Sequence, residues 1–300
     1  MTPKIIVICG ATASGKTSLA VSLAKQLNTE IISADSLLVY RGLTIGTAKP
    51  TKEEQQGVKH HLIDEISPFE NFSVNDYESR ALPIVNRLLA EGKSPIICGG
   101  TGFYINSILY KSQFGNTGAN PKIREKYERI LEEKGNAYLH DLLKEKDPKS
   151  AEILHENDTK RVIRALEIYD TTGQAKSTQA DSYIPRFDFT AFSVDYPRET
   201  LYERINQRVD EMFAQGLEQE VEDLLNQGVP STAQCMQGIG YKEFIQDKTL
   251  SLDEIKELIK KNTRNYAKRQ ITFFKRMQNH ILLTPDKANA EEVLALLNMK

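Results

Sequence analysis

A chain of 300 residues has room for one large domain or two modest ones, each with a real core. Hydrophobic residues make up 40% and charged residues 27%, an ordinary globular composition. No apolar run approaches a membrane span, so no membrane partner is expected. A net charge of −2 argues neither for nor against nucleic acid, and any polyanion site must come from local clustering. The start of the chain reads as a strand rather than a signal peptide. Cys9, Cys98 and Cys235 have neither disulfide nor zinc spacing, so a reducing cytoplasm is the expected compartment.

In chain order, Ile5 to Cys9 reads as a buried strand and Leu19, Leu23 and Leu27 as one face of a helix. Between them lies GATASGKT: Gly10, Ala11, Thr12, Ala13, Ser14, Gly15, Lys16 and Thr17. Strand, G-x-x-x-x-G-K-T and helix together make a phosphate-binding loop, which does not say which phosphate compound it holds. Its amides and the helix N-terminus cradle the anion, Lys16 adds a full charge, and the Thr17 hydroxyl is placed to ligate Mg²⁺. Residues 31–34 predict a second strand that delivers Asp35, and a long polar stretch follows to Pro50. His60 to Asp64 suggests a short strand, its paired histidines facing opposite sides in a structural role. Ser73 and Asp76 look like a capping pair for a helix reaching Gly92, with Tyr77, Ala81, Ile84 and Leu88 inward and a kink at Pro83. Residues 95–98 form a further strand that ends in Gly99-Gly100-Thr101-Gly102. Here an ATPase would carry a magnesium-holding aspartate. Instead the glycines imply close backbone approach, with Thr101 as the one side chain able to touch what comes near.

From about Lys111 to Phe187 strands give way to Lys/Glu-rich helices: one from Pro121, one around Leu139 to Leu143, one from Asp158 to Gly173. In the last, Val162, Leu166 and Tyr169 point inward and Lys160, Arg161 and Arg164 mostly outward. The fold class predicted is α/β, a P-loop NTPase-like parallel sheet with an all-helical insertion domain. The divisions are 1–113, 114–188 and 189–300, with hinges at 115–120 and 174–182. After a strand at 189–195, helices carry Leu201, Ile205, Val209 and Met212, then residues 217–227. The loop CMQGIGYKE precedes a long helix capped by Ser251, with Ile255, Ile259, Tyr266 and Phe273 as its inward face. Between Leu258 and Pro285 there is no acidic residue against Lys260, Lys261, Arg264, Lys268, Arg269, Lys275 and Arg276, which predicts a polyanion surface. A strand at 280–284 closes the pattern.

Taken together, GATASGKT, DSLLVYRGLTIGTAKP (35–50), HHLID, GGTGFYI, DTKRVIRALEIY, GIGYKE and RNYAKRQITFF resemble the tRNA dimethylallyltransferases over essentially the whole length. The first motif is shared by many P-loop proteins; the second and the last are far more specific. The resemblance implies transfer of a dimethylallyl group from its diphosphate to N6 of the adenosine 3′ to certain anticodons, with the tRNA anticodon arm and dimethylallyl diphosphate as partners and Mg²⁺ as cofactor. It explains the absent strand-end aspartate, since the loop holds a leaving group rather than a nucleotide to be hydrolysed. Catalytic roles fall on Asp35 as base, with Lys16 and Thr101 at the leaving group. The alternative roles for Asp35, a helix cap or an outer-shell magnesium ligand, stay open. By the same resemblance tRNA contacts fall on Asp35, Ser36, Leu37, Leu38, Thr101 and Arg124. They continue over Lys160, Arg161, Val162, Ile163 and Arg164, then Gln237, Gly238, Ile239, Gly240, Tyr241 and Lys242. The basic helix adds Arg264 and Lys268.

Departures from the family pattern are Leu38 for Gln, Lys160 for Gln and Phe273 for Trp. Nothing like the C-terminal zinc finger of eukaryotic relatives is present, so the form expected is bacterial. A monomer is expected. Two rivals stand beside it: an adenylate isopentenyltransferase that modifies free AMP, ADP or ATP, and a small-molecule P-loop kinase. The basic helix and helical insertion favour RNA over the first, and the acid-free strand end at Gly99 disfavours the second.

Overall fold

Ile5–Cys9 forms β1 with every residue buried, the pattern of a central parallel strand covered on both faces. In a computed structural model, which describes residues 3–111, 118, 120–178 and 184–298, β1 is joined by β2 (Ile31–Ser33), β3 (His60–His61), β4 (Ile96–Gly99), β5 (Phe189–Val194) and β6 (His280–Leu283). These six strands form one sheet in the order β3-β2-β4-β1-β5-β6, and every neighbouring pair is parallel. This is the α/β class the sequence predicts. The strand expected over 60–64 stops after His61, whose ring nitrogen meets the Glu30 carboxylate.

On one face, the Lys16–Gln26 helix packs Leu19, Ala20, Leu23 and Ala24 against Ile6, Ile8, Ile31 and Ile96. The same core holds Ala290, Val293 and Leu297 from a last helix, Ala290–Asn298, that the sequence reading passed over. The Val74–Ala90 helix begins at the expected Ser73/Asp76 capping box. It runs on through Pro83, which is exposed, and buries Val85 rather than Ile84.

The chain divides into two compact units, Met1–Leu109 with Arg186–Lys300, and Tyr110–Pro185. The expected later boundary, 188, moves because the Asp188 carbonyl accepts from the Ile5 amide at 2.9 Å and so already belongs to the sheet, at the start of β5 beside β1. The expected start at 114, most of the hinge at 115–120 and residues 179–183 of the second hinge lie outside the described residues. Within the second unit, Pro121–Lys146 is two helices broken at Gly135, which takes φ 79°. Thr159–Thr172 packs on it through Val162, Ile163, Ala165 and Leu166 against Tyr127, Leu139 and Leu143. A short helix, Pro148–Ile153, was not legible as such, and is capped by Asp147.

Candidate active site

The phosphate loop leaves β1 and enters its helix through Gly15 at φ 80°, left-handed backbone that glycine adopts without strain. No side chain caps this helix, so its first N–H groups are unspent and point out of its end. The loop is braced from inside. The Ala11 carbonyl accepts from the Ser14 hydroxyl at 2.8 Å and from the Lys16 ammonium. Arg204 Nε donates to the Ala13 carbonyl at 2.8 Å. The Thr12 amide donates to Gln270 Oε1 at 2.9 Å, so one of the amides expected to face the anion serves the fold. A cavity of about 510 Å³ opens over the loop, lined by Thr12 to Thr17 but not by Gly10 or Ala11. Gly10 and Ala11, the first two residues of the motif, lie behind that lining. Burial holds the Lys16 ammonium down at about 8, a fall to which Arg208 adds and which the Cys98 thiol and Asp35 oppose. Among the described residues Lys16 makes no ion pair. Its charge awaits an anion.

The second glycine-rich strand end works in the opposite sense. A Cβ on Gly99 would stand 2.2 Å from the Ala34 carbonyl oxygen, one on Gly100 2.1 Å from Gln270 Nε2, and one on Gly102 2.1 Å from the Phe273 ring. The close approach foreseen there is made to the protein's own chain, while Gly99 and Gly100 also line the phosphate cavity. Gly100 O accepts from Gln270 Nε2 at 3.1 Å, so this single side chain ties the β4 end to the phosphate loop. Thr101 Oγ1 accepts from the Ser36 amide at 3.1 Å, which fixes the turn after β2. That turn carries Asp35. One carboxylate oxygen accepts from the Leu37 amide at 2.9 Å and more loosely from Leu38 at 3.4 Å; this oxygen thus serves as a cap.

A second cavity of about 390 Å³ adjoins the first on the sheet unit. Leu37, Ile205, Val209, Met212, Ile239 and Ile259 give it apolar walls, while Gln237, Lys242, Thr263 and Arg269 add polar points. Such a lining suits a flat heteroaromatic ring with a few hydrogen-bonding edges. Asp35, Thr12, Thr47, Arg208 and Tyr266 line both cavities. Arg208 was missed in the sequence, where it is one more polar position on the Arg198–Ala214 helix. Its guanidinium donates to the Thr47 carbonyl at 3.1 Å, and burial lowers its pKa against the opposing pull of Asp35. Tyr266 is held up at about 12 by burial.

The expected tRNA-contact residues separate into those with surface to offer and those without. Gln237, Gly238, Ile239, Gly240 and Lys242 line the second cavity, but Tyr241 is fully buried and its hydroxyl donates to Glu220 at 2.7 Å. In the helical unit Lys160 and Arg161 are exposed, whereas Val162 and Ile163 have their side chains in the core and are withdrawn as contacts. Arg124 and Arg164 share the buried Glu167, at 3.0 Å and 2.6 Å. The long helix, Leu252–Phe274, buries Ile255, Ile259, Ala267, Gln270 and Phe274, so Tyr266 and Phe273 sit at the edge of its inward face. Its acid-free stretch is answered from elsewhere, because Lys260 pairs with Asp210 and Glu257, each at 2.9 Å. Arg264 is half-buried on Asn206, which leaves Lys261, Lys268, Arg269, Lys275 and Arg276 as the exposed cations.

A sequence model of the IPP transferase family matches residues 38–277. The tRNA dimethylallyltransferase of Acetivibrio thermocellus is 46% identical over 301 residues, covering 99% of this chain and 96% of that protein. That of Caldanaerobacter subterraneus is 47% identical over 92% of this chain and 90% of its own length. Among solved structures, the full-length tRNA isopentenylpyrophosphate transferase of Bacillus halodurans is similar at TM-score 0.71 and 39% identity, covering 99% of this chain and 95% of the other. A eukaryotic dimethylallyltransferase acting on tRNA matches at TM-score 0.82 and 29% identity, over 99% of this chain and 79% of the other. A phosphate-loop cavity and an apolar-walled cavity that share Asp35, together with these likenesses over nearly the full length, lead to one conclusion: the chain belongs to the tRNA dimethylallyltransferase family.

Proposed function

We propose that this transferase moves a dimethylallyl group from dimethylallyl diphosphate to N6 of the adenosine 3′-adjacent to the anticodon, in tRNAs that read codons beginning with U. The observation that carries the reading is the position of Asp35 on the shared wall of the two cavities. The diphosphate lies on Thr12 to Thr17 and the adenine in the cavity walled by Leu37, Ile205 and Ile239, flipped out of the anticodon stack to reach it. N6 attacks C1 of the allyl group, the C1–O bond breaks, and its electron pair leaves on the diphosphate. Asp35 takes the N6 proton, using the carboxylate oxygen not spent on the Leu37 amide. Lys16, Arg208 and the loop amides meet the charge growing on the leaving group. Thr101 lines neither cavity and supports the reaction through the Ser36 amide, which holds the Asp35 turn.

The site fits magnesium in one sense only. Among the described residues no three His, Cys, Asp or Glu side chains gather. The Thr17 hydroxyl lines the phosphate cavity, with the Asp35 carboxylate on the same wall. These oxygens, with those of the diphosphate, suit a hard cation that keeps part of its water, and when bound it would neutralise charge on the leaving group. No helix among the described residues is long and apolar enough to cross a membrane, and we place the enzyme in the cytoplasm as a monomer.

The test is direct. Purified protein receives labelled dimethylallyl diphosphate and magnesium, then either unmodified tRNA or AMP. Label should enter tRNA at the adenosine beside the anticodon. Label entering AMP instead would replace this reading by that of an adenylate-modifying enzyme.

A further inference from the structure

Glu220 lines neither of the two cavities. It sits on the Leu217–Asn226 helix, half-buried, and its carboxylate gathers hydrogen bonds from two separate loops. Oε2 accepts from the amides of Thr44 at 2.8 Å and Ile45 at 2.7 Å. Oε1 accepts from the Gly46 amide at 3.0 Å and from the Tyr241 hydroxyl at 2.7 Å. Three consecutive amides turned onto one carboxylate fix a tight backbone curl, and the next residue, Thr47, lines both cavities. On the other loop, Tyr241 is fully buried between Gly240 and Lys242, which line the acceptor cavity. The two loops touch where Gly46 meets the Tyr241 ring. A Cβ on Gly46 would stand 2.7 Å from the ring's Cζ, so the ring occupies the space a side chain would fill.

We propose that Glu220 is a positioning residue for the acceptor: it holds the 44–47 turn and the 238–242 loop in register, and so sets the width of the adenine cavity beside Asp35. The inference rests on the transfer reaction read above. The phosphate loop is braced independently, by Gln270 and Arg204. Glu220 reaches the donor side only through Thr47, which lines both cavities and whose carbonyl accepts from Arg208, whereas it reaches the acceptor side through both loops.

Glu220→Gln is the discriminating variant. It keeps the volume, but only one amide oxygen can accept, so either the Thr44–Ile45 pair or the Gly46–Tyr241 pair faces an NH₂ group. A residue that merely fills space would tolerate that change. The expected result is a rise in the KM for tRNA and a fall in kcat that together cost roughly ten- to a hundredfold in kcat/KM, while the Kd for dimethylallyl diphosphate stays within about twofold. Tyr241→Phe, which removes a single hydroxyl and leaves the packing, should move the same parameters in the same direction by less. Wild-type kinetics in both variants, or a loss of donor affinity equal to the loss of tRNA affinity, would overturn the proposal. Wild-type protein that binds both ligands and transfers nothing would sink the reaction, and this inference with it. Normal wild-type transfer that is unaltered in Glu220→Gln sinks the inference alone.

Discussion

On the sheet unit Lys16 and Arg208 face the phosphate cavity with no carboxylate at ion-pair distance among the described residues, whereas on the helical unit Arg124 and Arg164 share the buried Glu167 and Lys126 and Lys146 share Asp170. Both regions are rich in cations, yet they use them differently. A buried ammonium without a counter-ion loses hydration, which is why Lys16 is pulled down to about 8. An anion that enters relieves that cost, so the site is built to favour one. In the helical unit the carboxylates already do so, and Glu167 and Asp170 are each held below the ordinary carboxylate range, their hydrogen bonds and cations outweighing burial. Charge held for a ligand and charge spent on the fold look identical in a sequence. Only the partner tells them apart.

The largest expected effect lies at Asp35, whose carboxylate also has no cation bound to it at ion-pair distance among the described residues. Asparagine is as good a cap as aspartate, so Asp35→Asn keeps the bonds to the Leu37 and Leu38 amides and removes only the base. Single-turnover transfer with both ligands saturating should fall by about 10²- to 10⁴-fold. Transfer within a few-fold of wild type would reduce Asp35 to a cap, and weakened magnesium binding in that case would move it to the metal's outer shell.

A middle-sized effect concerns Lys16 and pH. Its pKa in the free protein is about 8, lowered from the ordinary lysine value, and bound diphosphate favours the ammonium and raises it again. Binding above pH 8 therefore takes up a proton. Affinity for dimethylallyl diphosphate should be full below about pH 8 and fall by up to roughly tenfold per unit above it, until the bound-state pKa is reached. Calorimetric titrations between neutral pH and about 9.5, in buffers of differing ionisation enthalpy, measure both the fall and the proton taken up. Lys16→Met should flatten the profile as well as weaken binding. A flat wild-type profile would mean that Lys16 is charged before the ligand arrives, and the contrast between the two regions would narrow.

How much of this was legible follows the range of each interaction along the chain. The strands, the phosphate loop and the Ser73 cap are local patterns, and all but the 60–64 strand, cut short at His61, stand close to where the residues predict. Asp35 was found because it follows a strand next to that loop. Arg208, Gln270 and Glu220 were not, because each acts on a partner more than 150 residues away: Thr47, Thr12 and Thr44. Nothing near Arg208 or Glu220 in sequence marks them, and Gln270 lies inside RNYAKRQITFF with nothing there to single it out from its neighbours. The Gly99 to Gly102 loop shows the same limit, since glycine announces a close approach without saying to what. The Ala290–Asn298 helix was the exception. Ala290, Val293, Leu294 and Leu297 carry the helical period plainly, a local pattern of the same kind as the others.

The smallest effect tests the comparison from the helical side. Lys160 and Arg161 are exposed, and Arg161 has only a surface pair with Asp158 at 3.2 Å, worth little against a phosphate. If tRNA lies on them, replacing either by alanine should lower the salt slope of tRNA binding by roughly one per lost phosphate contact, with stability unchanged within about 0.5 kcal/mol. Arg164 differs. It is one of two cations on a fully buried carboxylate, so Arg164→Ala leaves Glu167 under-compensated and should cost about 1–3 kcal/mol, the full price of a broken buried pair being reduced by the partial exposure of the guanidinium. Its salt slope should change less than that of Lys160→Ala, since part of its charge is already answered. The triple change of Lys160, Arg161 and Arg164 to alanine should raise the KM for tRNA and spare that for dimethylallyl diphosphate, whose site is built on Thr12 to Thr17. Thermal denaturation beside filter binding at several salt concentrations separates the roles. Equal slopes and equal melting for the three single variants would show that Glu167 does not distinguish Arg164 from its neighbours, and that the helical unit keeps its charge for RNA after all.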